Sequence, residues 1–330
     1  MKFSLARTVP RRTFLQLAAG AAALPATTHI ARAQAYPTKP LRWIVGFPPG
    51  GGADSVVRIM APWLAERLGQ PVVVENRPGA SSNLSLQAVV QSPPDGYTLL
   101  FVAASAAVNV SLFDLPFNLV CDIAPVSGLI DFSLVMVATP SLPVKNIPEL
   151  IALAKANPGK ITVGSFGTGS TSHVAGELFK TMAGVEMIHV PYRGGAQMLA
   201  DLVGGQLQVG IDVLTGPLQQ IRAGGVRALG IGSKTRSEFL PDVPAIGETV
   251  PGYEANSWCG IGVPRGTPPE IIERLNREIN AGLANAAIKK RYQDVATTPL
   301  FYSPAEFGAY IAAETEKWSK VVKRAGIKPE

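Results

Sequence analysis

Apolar positions along the chain follow two alternating rhythms, short β-branched or aromatic runs and longer segments with helical spacing. The runs at residues 41–47, 72–75, 98–102, 134–139, 161–166, 187–191, 208–213, 227–232 and 258–263 predict strands. Helical spacing follows the first of them through Leu68, recurs up to Val90, over 147–156, up to Met182 and up to Val203, and returns near the end of the chain. There, residues 268–283 form an amphipathic helix with Ile271, Leu275 and Ile279 on one face, and residues 304–324 form a last helix. Strands alternating with helices predict parallel sheets covered on both faces, an α/β fold.

Two of the strand-to-helix turns are rich in glycine. The first reads Pro48-Pro49-Gly50-Gly51-Gly52-Ala53-Asp54, and the second lies in the stretch ITVGSFGTGSTSHVAGELF from Ile161 to Phe179. Helix starts carry N–H groups without intrahelical partners and the positive end of the macrodipole, so such turns are anion sites, and Ser170, Thr171 and Ser172 add hydroxyl donors. A phosphate loop would close with Gly-Lys-Ser/Thr, and no lysine occurs between Lys160 and Lys180. A dinucleotide fingerprint would have glycine at Ser172 and an acid about 20 residues on, where Asp201 is about 30 residues away. The plainer alternative is that Ser170 or Thr171 only caps the helix, with Glu177 too distant for a capping box. Both turns fall at the carboxyl ends of strands, where open α/β sheets bind ligands, and a cleft between two lobes would expose both.

The first 35 residues read as an export signal rather than fold. Arg11-Arg12-Thr13-Phe14-Leu15 precedes an alanine-rich apolar stretch, and Ala33-Gln34-Ala35 offers a small-x-small cleavage pattern. The paired arginines resemble a twin-arginine signal, with the general secretory route as the rival. Export would place the protein in the periplasm. Cleavage would remove five basic residues and no acids, leaving 25 Lys and Arg against 24 Asp and Glu, about +1 instead of +6. The basic pI of the full chain, about 9.3, is then a targeting feature and not a nucleic-acid footprint. The remaining 295 residues exceed a usual single core, which predicts two lobes. Beyond the signal no 18-residue apolar run occurs. Cys121 and Cys259 read as two free buried thiols, or as a pair in an oxidising compartment.

Evidence for an enzyme is thin. The sequence has no Gly-x-Ser-x-Gly elbow, no Cys-x-x-Cys and no His-Glu-x-x-His, and beyond the signal its histidines are His173 and His189. No cofactor or metal site is expected.

In combination, Tyr36-Pro37, Phe47-x-Pro-Gly-Gly-Gly-x-Asp54, Leu68-Gly69-Gln70-Pro71-Val72, Glu75-Asn76-Arg77-Pro78-Gly79-Ala80, Pro94-Asp95-Gly96-Tyr97-Thr98-Leu99, Gly164-Ser165-x-Gly167-x-Gly169-Ser170-x-x-His173, Val190-Pro191-Tyr192, Arg222-Ala223-Gly224, Leu240-Pro241-Asp242-Val243-Pro244 and Trp258 closely resemble the Bug family. These are extracytoplasmic solute receptors of tripartite tricarboxylate transporters. The resemblance implies a two-lobed type II periplasmic-binding-protein fold with a central, mostly parallel sheet in each lobe and a ligand cleft between them. Lobe 1 would comprise residues 36–134 and 259–330, and lobe 2 residues 135–258. The family's ligand is a small organic carboxylate and its partners are membrane permease subunits, with the receptor a monomer. The positions matching its site are Phe47, Gly51, Gly52, Asp54, Ser105 and Ala106 on the first lobe. On the second they are Ser165, Thr168, Ser170, Thr171, His173, Gly195 and Asp212. A receptor that senses solute and signals to another protein would have the same sequence.

Several of these residues also have plainer readings. Asp54 reads as a cap of the first helix or as part of the ligand shell, and Asp212 as the end of a strand or a grip on a ligand ammonium or hydroxyl. His173 reads as a structural residue or a donor, and Arg193 as a solvated or lobe-closing charge. Ala80-Ser81-Ser82 and Gln208 depart from the family pattern, and are expected to affect edges rather than the pocket.

Overall fold

The computed structural model describes residues 36–327, so the expected signal, with Arg11 and Arg12, lies outside the described residues. In chain order the first elements are β1 (Leu41–Val45), α1 (Gly52–Leu68), β2 (Val72–Asn76), α2 (Asn83–Val90), β3 (Thr98–Ala103), α3 (Ala104–Leu112), α4 (Leu119–Asp122) and β4 (Ile123–Ala138). Next come α5 (Ile147–Ala156), β5 (Ile161–Ser165), α6 (Thr171–Ala183), β6 (Met187–Pro191), α7 (Gly195–Val203), β7 (Val209–Val213), α8 (Leu218–Ala223) and β8 (Arg227–Ile231). The chain closes with β9 (Asn256–Pro264), α9 (Pro269–Ala284), α10 (Ala286–Asp294), β10 (Thr298–Pro299) and α11 (Pro304–Ala325).

Local chemistry sets the helix boundaries. Gly69 (φ +71°) and Gly184 (φ +62°) end α1 and α6 in the left-handed conformation that glycine adopts without a Cβ penalty. Asn146 caps α5 by accepting from Glu149 N at 2.9 Å. Ser303 and Glu306 form a reciprocal capping box at the start of α11.

The strands run in the order β2-β1-β3-β9-β4-β7-β5-β6, with β10 and β8 also on β4. The expected parallel pairing holds at the two ends, β2-β1-β3 and β6-β5-β7. At the centre every pairing is antiparallel, so the sheet is mixed rather than mostly parallel. The reason is that β4 and β9 run against their neighbours. Over residues 123–133 β4 pairs with β9, and over 134–138 with β7 and β8.

Beyond that switch β4 alternates its side chains between two cores. Leu134, Met136 and Ala138 join a cluster with Val163, Ile211, Phe179 and Trp318, while Val135 and Val137 join Met198, Leu202 and Leu214 on the opposite face. A third cluster packs Ile44, Leu100, Val102, Trp258 and Phe307 in the first half of the sheet. No helix among the described residues is long and apolar enough to cross a membrane. Of the two readings of the cysteines, the structure has both free, but only Cys259 is buried; Cys121 is exposed in α4.

β9 and α11 meet at Gly260, where an added Cβ would lie 2.1 Å from Phe307 Cζ and 2.6 Å from the Ser127 carbonyl oxygen. Neither can yield, since the ring is fully buried and the carbonyl is backbone. Gly260→Ala should therefore cost about 1–3 kcal/mol. That corresponds to a loss of roughly 2–12 °C in melting temperature at the 2–4 °C per kcal/mol typical of this size. An unchanged melt would show that α11 is not packed this closely.

Candidate functional site

The carboxyl ends of β1, β3, β5, β6 and β7 open on one cavity of about 450 Å³. This is where open α/β sheets place ligands. Phe47 and residues 48–53 line it from the β1 end, Phe101, Ala103 and Ser105 from β3 and α3, Phe166 and Thr171 from the second glycine turn, and residues 193–197 from the β6–α7 turn. Asp212 and Val213 close it from β7, and Phe132, Ser257 and Trp258 from the two crossing strands. Five aromatic side chains, Phe47, Phe101, Phe132, Phe166 and Trp258, stand in the wall among glycine, alanine and proline. Phe47 stands between Phe101 and Phe166, edge to face with each at centroid distances of 6.2 and 6.3 Å, a favoured aromatic geometry.

Three helix starts point their orphan donors into this space. α1, α3 and α7 begin at Gly51, Ala103 and Gly194, and none of the three has a side chain capping it. Each therefore keeps unpaired N–H groups and partial positive charge at the cavity. α6 differs, because Ser170 caps it by accepting from His173 N at 3.2 Å. At the second glycine turn the cap thus takes one of the helix-start donors, whereas the starts at Gly51, Ala103 and Gly194 have no side-chain cap.

Of the thirteen predicted site residues, the structure brings Phe47, Gly51, Gly52, Ser105, Thr171, Gly195 and Asp212 to the cavity wall. The other six lie outside the lining. Asp54 neither lines the cavity nor caps its own helix. Its carboxylate accepts from Gly50 N (2.9 Å), Arg58 Nε (2.8 Å) and Asn76 Nδ2 (2.9 Å), which pins the first glycine turn. Burial pushes that carboxyl up, but the bonds from Arg58, Gly50 and Asn76 outweigh it and hold it below its ordinary value.

Ser165, Ser170, His173 and Thr168 form the scaffold of the second turn. Ser165 Oγ pairs with His189 Nε2 at 2.8 Å, Ser170 Oγ lies 3.0 Å from Ser172 Oγ, and His173 Nδ1 accepts from Gly169 N at 3.2 Å. Burial, the stacked His189 ring at 4.0 Å and Lys180 push His173 down to about 3, so its ring is neutral. The Thr168 carbonyl accepts from Ser81 Oγ, and Ala106 is buried in the core. The departure at Ala80-Ser81-Ser82 thus reaches further than an edge. All three residues have positive φ, and the Ser81 carbonyl also accepts from Ser105 Oγ and Asn109 Nδ2, both at 3.2 Å. Gln208 does stay at a strand edge, accepting from Thr162 N at 2.8 Å.

Thr171 differs from Ser170 in having its hydroxyl turned to the wall, where it bonds Ser257 Oγ at 3.1 Å. Sequence reasoning missed the wall residues Phe101, Phe132 and Ser257, on strands of ordinary composition, and Phe166, which lies inside the second glycine turn but was not singled out. Trp258 was visible only as a motif residue. Its indole N–H is fixed by Glu314 Oε2 at 3.0 Å, which also receives Trp318 Nε1 at 3.1 Å.

The chain has the α/β fold of the periplasmic binding proteins, with a cavity at the carboxyl ends of five strands. Residues 56–327 match the family model of the tripartite tricarboxylate transporter family receptor. BugT of Bordetella pertussis is 38% identical over 300 residues, 90% of this chain and 92% of that one. An R. palustris protein solved with adipate superposes with a TM-score of 0.87 at 36% identity, over 89% of this chain and 100% of that one. MatC from Rhodopseudomonas palustris, with bound malate, gives 0.82 at 28% identity, over 87% and 100%. The chain belongs to the tripartite tricarboxylate transporter receptor family.

Two measurements check the scaffold. Ser170→Ala should lower the ligand-free stability by about 1 kcal/mol, the usual loss of an N-cap, with ligand affinity within about twofold of the wild type. A tenfold affinity loss with an unmoved melt would return Ser170 to the ligand shell. His173 titrates in the opposite sense to a paired histidine. Its folded value is depressed, so the unfolded chain binds the proton first and stability falls as pH drops below about 6.5. Relative to His173→Asn, the wild type should lose about 1.4 kcal/mol per pH unit between 6 and 5. Parallel melting curves against pH for the two proteins would contradict a neutral His173.

Proposed function

We propose that this protein is a periplasmic receptor that captures a small organic acid with an apolar body and delivers it to membrane permease subunits. The observation that carries this reading is the convergence of three uncapped helix starts on one aromatic cavity. Amide dipoles favour a carboxylate there, and the phenyl walls favour a hydrocarbon body. Arg193, exposed at the cavity, adds a full positive charge. A ligand with one or two carboxylates on a chain or ring suits this set better than a tricarboxylate, whose third charge would meet apolar wall. The related structures with adipate and malate support the same class.

In this reading residues 36–134 with 259–330 form one lobe and 135–258 the other, and they close over the ligand as a monomer without chemistry. The antiparallel switch in β4 between Ser133 and Leu134, and the start of β9 at Asn256, are the two crossings that such closure would use. Phe47 and Phe166 come from opposite lobes, so their edge-to-face contact belongs to a closed cleft.

Thermal melts with a panel of α,ω-dicarboxylates from four to eight carbons, together with benzoate, test the assignment. At about 100 times Kd one-site binding adds roughly 2.7 kcal/mol, or about 5–10 °C for a protein of this size. Thr171→Val and Arg193→Ala should each weaken the best ligand by roughly 10- to 150-fold, the equivalent of about 1.5–3 kcal/mol for a hydrogen bond to a charged group. A panel in which only neutral sugars or cations shift the melt would overturn the carboxylate assignment, and turnover of a bound acid would restore an enzyme.

A further inference from the structure

Asp212 is a carboxyl group in an unusual setting. It is the penultimate residue of β7, with 3% of its surface exposed, opposite Val135 in register and therefore on the α7 side of the sheet. Its Oδ1 accepts from Val213 N at 2.8 Å, and among the described residues no lysine, arginine or histidine pairs with it. Its Oδ2 sits in a slot between two glycines. A Cβ at Gly195 would lie 2.5 Å from it and one at Gly216 2.8 Å, so the backbone leaves room there for this side chain and no larger neighbour. The group lines the ligand cavity beside the uncapped start of α7.

A buried, unpaired carboxylate in a cavity meant for carboxylates poses a charge conflict. Two carboxylates sharing one desolvated site cannot both stay ionised, and one of them takes up a proton. Burial already pushes Asp212 up to about 7 in the empty cavity. The α7 start pulls the other way, but a helix dipole is worth about 0.3–1 kcal/mol, under one pH unit, against a rise of several. Other ionisable groups on the packed elements do not intervene. Asp131 on β4 answers to Glu314 and Lys317, His173 on α6 to His189 and Lys180, Glu177 pairs with Lys180, and Asp201 on α7 bonds Tyr192. Arg193 shares the cavity and is exposed.

Resting on the carboxylate reading given above, we infer that Asp212 is the specificity-determining side chain: protonated, it donates a hydrogen bond to a carboxylate oxygen of the ligand, so that capture takes one proton from solution. The proton comes from the solvent and stays between the two carboxyl groups, with no bond broken elsewhere. Ligands whose corresponding end is an ammonium would instead require Asp212 ionised. The site thus selects an acid end over an amine end by holding a proton.

Calorimetry with adipate and malate, in buffers of differing ionisation enthalpy, counts the protons. At pH 8 uptake should approach one proton per ligand, at pH 6 it should fall well below that, and Kd should weaken about tenfold for each pH unit above about 7. Asp212→Asn, whose amide donates at every pH, should take up no proton and bind about tenfold tighter than the wild type at pH 8. Adipate or malate bound without proton uptake overturns this inference and leaves the carboxylate receptor standing. So does an Asp212→Asn protein that melts normally but loses binding more than a hundredfold, since the site then needs the ionised acid. If the variant does not fold, the wild-type proton count decides alone. Failure of both ligands and of the whole dicarboxylate panel removes the receptor reading and this inference together.

Discussion

The structure depends on one 16-residue strand. β4 runs antiparallel to β9 over its first eleven residues and to β7 and β8 over its last five, so both halves of the sheet are hydrogen-bonded to the same segment of chain. A one-residue slip in β4 would exchange Val135 and Val137 with Leu134, Met136 and Ala138, turning two cores inside out at once. Register is thereby fixed from both sides. It also fixes what lies opposite, and Asp212 faces α7 because Val135 does.

Helix starts differ in how their donors are met. Ser170 caps α6 and Asn146 caps α5, while α2 and α9 begin without a side-chain cap away from the cavity. Three starts that border the cavity, at Gly51, Ala103 and Gly194, have glycine or alanine at the cap position and no side-chain cap. The polar residues around the two glycine turns then act at one remove. Asp54 pins the first turn, His173 pins Gly169, and Ser81 ties the β2–α2 connection to Thr168. Three residues in succession with positive φ near the cavity are costly for side chains that carry a Cβ, and the bonds to Thr168, Ser105 and Asn109 hold them there.

Much of this was legible in the sequence because period and punctuation agreed. Ile147–Ala156 and Met187–Pro191 have the predicted bounds, and glycine turns mark the starts of α1 and α6. The first part of β4 escaped because Pro125, Ser127, Gly128 and Asp131 interrupt its apolar pattern, and α3 because its run of small residues continues the strand before it without a turn. Mixed pairing was hidden for a different reason, since strand direction depends on where the chain crosses and not on composition. Hydroxyls in the second turn signalled a special place but not their own roles. Ser170 and Thr171 are adjacent and chemically alike, and only the helix geometry sends one hydroxyl to the α6 backbone and the other to the wall with Ser257. Phe101, Phe132 and Phe166 gave no signal, because an aromatic ring facing a cavity and one facing a core look alike in sequence.

The open donors at Gly51, Ala103 and Gly194 belong to the main chain, and that has a consequence for how such a scaffold diversifies. A peptide N–H is supplied by every amino acid but proline, so drift in side chains leaves it in place. The aromatic wall is the reverse, since each ring is a side chain that one substitution can reshape. In a receptor working as proposed, affinity for an acid and choice among acids would be inherited separately. The relatives holding adipate and malate share this architecture while their cargo differs.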